Sequence, residues 1–161
     1  MAVEIRAVHL VADWSQARQL LQAYARSLAI DLSFQDFKQE LEQLETVYGP
    51  PGGALLIAAE ADHWLGCVGI RRRSEHDSEM KRLYVAPEAR GRGIGQLLAV
   101  TAIEAAVRLG YRRMLLDTLP SMSAAQALYL RLGFSPIPPY RFNPVAGTVF
   151  MALELPPRQV S

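Results

Sequence analysis

The chain has 161 residues, half of them apolar and a fifth charged, with a formal net charge of +1. That is enough for one domain with a real core, and it excludes a disordered acidic chain or a strongly basic nucleic-acid binder. One cysteine, Cys67, rules out an intrachain disulfide and a cysteine-based metal site, so no metal is expected; with no signal-like N-terminus and no apolar run approaching the ~18–20 residues of a membrane helix, the expected setting is a reducing cytoplasm without membrane contact.

Residues 3–10 alternate and are rich in β-branched side chains, which predicts a strand. Asp13 is placed as the cap of a helix reaching about residue 27, with Leu20, Leu21 and Tyr24 on its apolar face. A second helix is expected over 34–46, with Phe37, Leu41 and Leu44 on one face and Asp36, Glu40, Glu42 and Glu45 on the other. The stretch YGPPGG at 48–53 must be a loop. Strands follow at 54–61 and 64–72, joined by a tight turn at Asp62-His63, and SEHDS turns the chain into a third strand at 79–85.

Ile94, Leu97, Leu98, Thr101, Ala102, Ala105 and Leu109 then mark a helical stripe that Gly110 ends. A short buried strand at 112–118 precedes a helix at 121–134, which Ser121 or Ser123 could cap and Gly133 stops. IPPYRF and TVFMALEL read as two last strands around the turn NPVAG. The helix at 94–109 must connect parallel strands, whereas the earlier strands are joined by hairpins. The expected fold is therefore one α/β domain over 1–161, with its core at about 3–156 and a mixed, mostly antiparallel sheet flanked by helices.

The strand-to-helix turn at 84–95, YVAPEARGRGIG, concentrates Gly91, Gly93 and Gly95 with Arg90 and Arg92. Alternating glycines let successive N–H groups converge at a helix N-terminus, and the arginines add charge, which together suit a diphosphate. The third glycine comes one residue too early for a dinucleotide fingerprint, and no lysine follows to make a P-loop. Charge is also divided along the chain: residues 1–70 hold nine acidic and four basic side chains, residues 71–161 seven and thirteen.

R-G-R-G-I-G at 90–95 resembles the pyrophosphate loop [QR]-x-x-G-x-[GA] of the GNAT superfamily of N-acetyltransferases. AQALYLRLGF at 125–134 is similar to that superfamily's A-x-x-L-Y-x-x-x-G-F helix, and the order of elements agrees over nearly the whole chain. More narrowly, EMKRLYVAPEARGRGIG with LDTLPSM resembles small stand-alone bacterial acetyltransferases. The resemblance implies a fold with a splayed central strand pair, acetyl-coenzyme A as donor, and a primary amine of a small molecule as acceptor. It also implies that backbone N–H groups of Gly91, Arg92, Gly93, Ile94, Gly95 and Gln96, with Arg90, hold the pyrophosphate. Leu83, Tyr84 and Val85 would present the pantetheine edge and the thioester N–H, opposite Ser121, Met122 and Ala125. Many members carry Asn where this chain has Met122, so that polar contact either comes from Ser121, Ser123 or backbone or is absent.

Acyl transfer to an amine needs a neutral amine, an oxyanion site and a proton for the leaving thiolate. Tyr129 is the expected acid by the resemblance, although its helical face alone would make it a core aromatic. Glu79 is the expected base, with His76 in reserve, and an exposed strand-end charge paired with Lys81 or Arg73 is the plainer reading of Glu79. Cys67 reads as a small buried hydrophobe, so direct attack in a ternary complex is expected. Arginines 71–73 either touch the adenosine 3′-phosphate or are solvated. Asp31, Phe34 and Tyr140 are nominated for the acceptor walls, and the acidic second helix favours a cationic amine.

Two rival classes are a non-catalytic acyl-CoA-binding regulatory module and a nucleic-acid-binding domain built on RRR and KR. The first has no need of both Tyr129 and Glu79, and the second lacks interleaved aromatics, so no nucleic-acid partner is expected. A homodimer is allowed by the sequence.

Overall fold

A computed structural model of the chain describes residues 2–28 and 36–158. Strands β1 (Glu4–Ala7), β2 (Ala54–Glu60), β3 (His63–Arg72), β4 (Asp77–Val85), β5 (Arg113–Thr118), β6 (Ser135–Ile137) and β7 (Val149–Glu154) form one sheet in the order β1-β2-β3-β4-β5-β7-β6. Every neighbouring pair is antiparallel except β4 with β5. The helices are α1 (Val11–Ser27), α2 (Phe37–Glu42), α3 (Leu44–Tyr48), α4 (Ile94–Arg108) and α5 (Ser123–Arg131).

Strands β2 and β3 read as almost continuous apolar runs because both of their faces are covered. Leu55, Ile57 and Cys67 pack with Trp14, Ala17 and Leu21 of α1 and with Leu44 and Tyr48 of α3. Leu56, Ala58, Val68 and Ile70 face the other way and pack with α4 and α5. On α4 the buried positions are Ile94, Leu98, Ala99, Ala102, Ala105 and Ala106, whereas Leu97 and Leu109 are 43% and 37% exposed. The predicted stripe is thus rotated toward the alanines, whose small side chains let the helix lie close on the sheet.

Several boundaries differ from the sequence expectation. Helix α1 starts two residues before Asp13, with Leu10 as its flanking residue and no side-chain cap. Asp13 instead sits in the first turn, where the Arg6 guanidinium at 3.2 Å holds its carboxyl below the usual range. The expected helix at 34–46 is two short helices broken at Gln43, and its first residues lie outside the described residues. Glu60 pairs with His63, so the hairpin turn is Ala61-Asp62, with Ala61 at a φ of +54°. Neither Ser121 nor Ser123 caps α5; Met122 flanks it, and the Gln126 amide reaches back to the Leu119 carbonyl at 2.9 Å.

The last strand pair is shorter than IPPYRF suggested. Only Ser135, Pro136 and Ile137 pair with β7. Pro138 and Pro139 have no N–H for a ladder, so the chain leaves the sheet there. Residues 138–148 instead carry Tyr140, Arg141 and Asn143 to partners on β4 and β5. Among the described residues no helix is long and apolar enough to cross a membrane.

Candidate active site

Strands β4 and β5 are paired over only three steps: Asp77 with Arg113, Ser78 with Met114 and Glu79 with Leu115. A two-pronged ion pair from Arg113 to Asp77, at 3.1 and 2.9 Å, ties the strands where they start. Beyond Glu79 they part, β4 staying with β3 and β5 with β7. The cause lies in β4. Cys67 pairs with Tyr84 but Gly69 pairs with Lys81, so two steps on β3 face three on β4. Arg82 takes up the extra residue at a φ of +61°. A bulge of this kind bends its strand, and a side chain in the left-handed region costs about 1–2 kcal/mol.

That cost is offset by what holds Arg82. Its Nε and Nη2 donate to the two Glu40 carboxylate oxygens, each at 3.0 Å, and the Tyr48 hydroxyl donates to Glu40 Oε2 at 2.9 Å. The guanidinium also lies 5.0 Å from the centre of Phe37 and 5.8 Å from that of Tyr24. Burial pushes the Glu40 pKa up, but the hydrogen bonds and charge of Arg82 prevail and hold it below the usual carboxylate range. Glu40 is therefore charge-compensated inside the protein, and the exposed acids of this segment are Asp36, Glu42 and Glu45.

At the end of β4 a single turn of 3₁₀ helix, Pro87–Ala89, leads into the glycine loop. Gly91 and Gly93 have φ of +84° and +76°, and a Cβ built on either meets nothing within 4 Å. Open space thus lies beside the N-terminus of α4, which fits an anion held by backbone N–H groups. The arginines are already engaged: Arg90 donates to the Val85 carbonyl at 3.1 Å, and Arg92 is paired with Glu60 at 2.7 Å.

From this loop a groove of about 380 Å³ runs between Leu83, Tyr84 and Val85 on one side and Ser121, Met122 and Ala125 on the other. Tyr24, Leu28, Leu83, Met122 and Ala125 also line a smaller cavity of about 60 Å³, which adds Lys81, Asp117 and Tyr129. Tyr129 is buried, its ring tilted against Phe134 with centres 5.7 Å apart, and burial pushes its pKa up.

Glu79 is not the exposed strand-end charge of the plainer reading; it is completely buried. Its Oε2 accepts a hydrogen bond from the Tyr140 hydroxyl at 2.5 Å and lies 3.7 Å from Arg141, while Arg71 is 3.9 Å from Oε1. Glu79 Oε1 accepts no hydrogen bond among the described residues. Arg141 Nη2 donates to both oxygens of Asp117, at 3.0 and 2.9 Å, and Asn143 adds a third bond at 3.3 Å. Burial raises the Asp117 pKa, but the charges of Lys81 and Arg141 outweigh it and keep the carboxyl below its usual range. Lys81 is itself buried, and burial pulls its pKa down to about 8.

Glu79 and Tyr140, predicted separately, thus touch each other but line neither cavity, whereas Tyr129 lines the smaller one together with Lys81 and Asp117. Arginines 71 and 73 turn to this side: Arg73 donates to the Tyr140 carbonyl at 3.2 Å and stacks on its ring. Cys67 is buried, its thiol donating to the Arg82 carbonyl at 3.4 Å, and burial pushes its pKa up to about 12. His76 is exposed in the β3–β4 turn. Asp31 and Phe34 lie outside the described residues. Sequence reasoning missed Tyr24, Lys81, Asp117, Arg141 and Asn143. A signal existed for two of them, since Lys81 shares the strand face of Glu79 and Asp117 is a lone acid in an apolar strand.

The sequence model of the Acetyltransferase (GNAT) family matches residues 14–134. An uncharacterized N-acetyltransferase of Schizosaccharomyces pombe is 40% identical over 156 residues, spanning 95% of each chain. A GNAT acetyltransferase from Staphylococcus aureus Mu50 superposes with a TM-score of 0.78 at 21% identity, covering 96% of this chain and 100% of that one. The Salmonella typhimurium protein yncA, whose structure holds its cofactor acetyl-CoA, superposes with a TM-score of 0.68 at 21% identity over 97% and 95% of the two chains.

Proposed function

This chain belongs to the acetyltransferase (GNAT) family, and from that premise we propose that it moves an acetyl group from acetyl-CoA to a primary amine of a small molecule by direct attack. The observation that supports this reading best is one continuous path. It runs from the positive-φ glycine loop, through the groove opened by the β4 bulge, to a cavity walled by Tyr129.

In this reading the backbone N–H groups of residues 91–96 hold the pyrophosphate, and the β4 edge at 83–85 hydrogen-bonds the pantetheine arm. Bound there, the coenzyme supplies an acetyl thioester. A backbone N–H of that edge stands where negative charge develops on the acyl oxygen. As the C–N bond forms and the C–S bond breaks, nitrogen gives up one proton and sulfur gains one. Tyr129, kept protonated by its burial, holds the proton for the sulfur. Glu79 is the acceptor of the amine proton, with Tyr140 fixing its Oε2. Tyr140 walls the acceptor side. Cys67 forms no acyl-enzyme, because a buried thiol with a pKa near 12 supplies almost no thiolate at neutral pH.

Release of free thiol from acetyl-CoA over an amine panel tests the reading. The expected result is release that depends on the amine. Tight coenzyme binding with no release from any amine would favour the regulatory-module alternative instead. In the same assay Glu79→Gln should cost ~10²-fold in turnover, shrinking at high pH where more amine is already neutral, with coenzyme affinity kept. Full activity at neutral pH would remove Glu79 from the proton path.

The loop has its own test. Acetyl-CoA and coenzyme A should both raise the melting temperature of the native protein, by about 2.7 kcal/mol of linkage at a hundred times Kd, and NAD or ATP should not. Gly93→Val should lose this response, because a β-branched side chain resists the +76° φ and fills the space at the N–H groups. An undiminished shift in the variant would place the pyrophosphate elsewhere.

A further inference from the structure

The small cavity beyond the groove carries opposite charges in its lining. Lys81 and Asp117 line the same space of about 60 Å³, beside Tyr129. We propose that the acceptor amine also bears a carboxylate, as an amino acid does, with Lys81 binding the carboxylate and Asp117 facing the amine. The inference rests on the acetyl-transfer reading above and names its acceptor class.

A lysine 5% exposed in the middle of a sheet is costly to the fold, and an apolar side chain would fill the position more cheaply. The charged groups facing Lys81 are Glu79 and Arg82 on its own strand, Asp117 on β5 and Arg141 on the 138–148 loop. The two carboxylates favour its charge and the two guanidiniums oppose it, while burial acts most strongly against it. A carboxylate brought in by a ligand works against that burial penalty. An ammonium has three donors, so this contact adds to those Lys81 already makes.

Asp117 complements it. Its two oxygens take two bonds from Arg141 and one from Asn143, and a carboxylate offers about four acceptor sites, so one remains for an amine N–H. An acceptor with a second positive charge would meet Lys81, Arg82 and Arg141 at close range. A neutral amine would leave Lys81 with no new partner. The amino acid is the class that uses both charges.

The test measures thiol release with the twenty amino acids and, for each, its amide and its decarboxylated amine. At least one amino acid should show kcat/KM ~10–100-fold above both derivatives, the worth of a charge-assisted hydrogen bond. Its KM should rise as pH passes about 8, where Lys81 loses its charge. Lys81→Met should raise KM for that acid by a similar factor and level acid with amide, in a variant whose cooperative melting curve shows it folded. Native enzyme that uses amides or decarboxylated amines as well as acids would overturn the inference and leave the acetyl-transfer reading standing. So would a Lys81→Met variant that keeps its preference for acids, or one that loses acid and amide equally. Coenzyme binding without thiol release from any member of the panel would overturn both.

Discussion

Tyr129→Phe should lower turnover on an accepted amine by ~10²-fold while the protein stays folded and binds coenzyme as before. Phe keeps the ring, its contact with Phe134 and its buried area, and removes only the hydroxyl. A purely structural tyrosine would then cost about a kcal/mol at most and leave turnover alone. The general range for a positioned acid is ~10²–10⁴-fold, and two facts place this case at its lower end. A thiol has a pKa of about 8.5, so thiolate departs fairly well without help. Burial also raises the Tyr129 pKa, which keeps the proton in place at neutral pH but makes it a weaker acid. Steady-state kinetics of both proteins on one acceptor, beside their melting curves, decide the matter. Native turnover in a folded, coenzyme-binding Phe variant would remove Tyr129 from the mechanism.

Glu40→Ala should destabilise the protein by ~3–5 kcal/mol, because it leaves the Arg82 guanidinium buried without its carboxylate. For a chain of this length that is a melting temperature lower by roughly 6–20 °C. Changing Arg82 to Met in the same chain should recover part of the loss, since replacing a whole buried pair by apolar groups is often neutral. The recovery is the informative quantity, because additive losses in the double variant would mean that the pair is not coupled. The sign with pH follows from the lowered carboxyl. With its folded pKa below the unfolded value of about 4.3, Glu40 contributes its full stability above that value and loses it as pH falls through the folded pKa. The native protein should therefore lose stability on acidification more steeply than Glu40→Ala. Equal acid sensitivity would show that Glu40 contributes nothing through its charge.

These two residues mark opposite ends of what was legible. The resemblance points at Tyr129, whereas its helical spacing alone makes it a core aromatic, and the splayed strand pair that the resemblance implies leaves a groove beside it. Glu40 was read as one acid among several on a solvated helix face. Nothing within a few residues of position 40 shows that its partner lies 42 positions further on, in a strand bulge. The same holds for Glu79. Strand alternation put it beside Lys81 but left both exposed, and it is the return of residues 138–148 that brings Tyr140 onto it across 61 positions.

By itself the sequence determined what short-range physics controls: apolar period for strands and helices, glycine for the positive-φ loop, and a lone cysteine that excludes an intrachain disulfide. It also placed the glycine loop at the N-terminus of α4, because that turn is made of backbone within a few residues. Only the tertiary structure decided which polar side chains share the cavity. Lys81, Asp117 and Asn143 lie on β4, β5 and the 138–148 loop, and their meeting follows from where β4 and β5 part and where the last loop crosses them. Burial then changes what they are, pulling the Lys81 pKa down to about 8 and holding Asp117 ionised. A charge acquires those properties from distance and desolvation, neither of which is written in its neighbours along the chain.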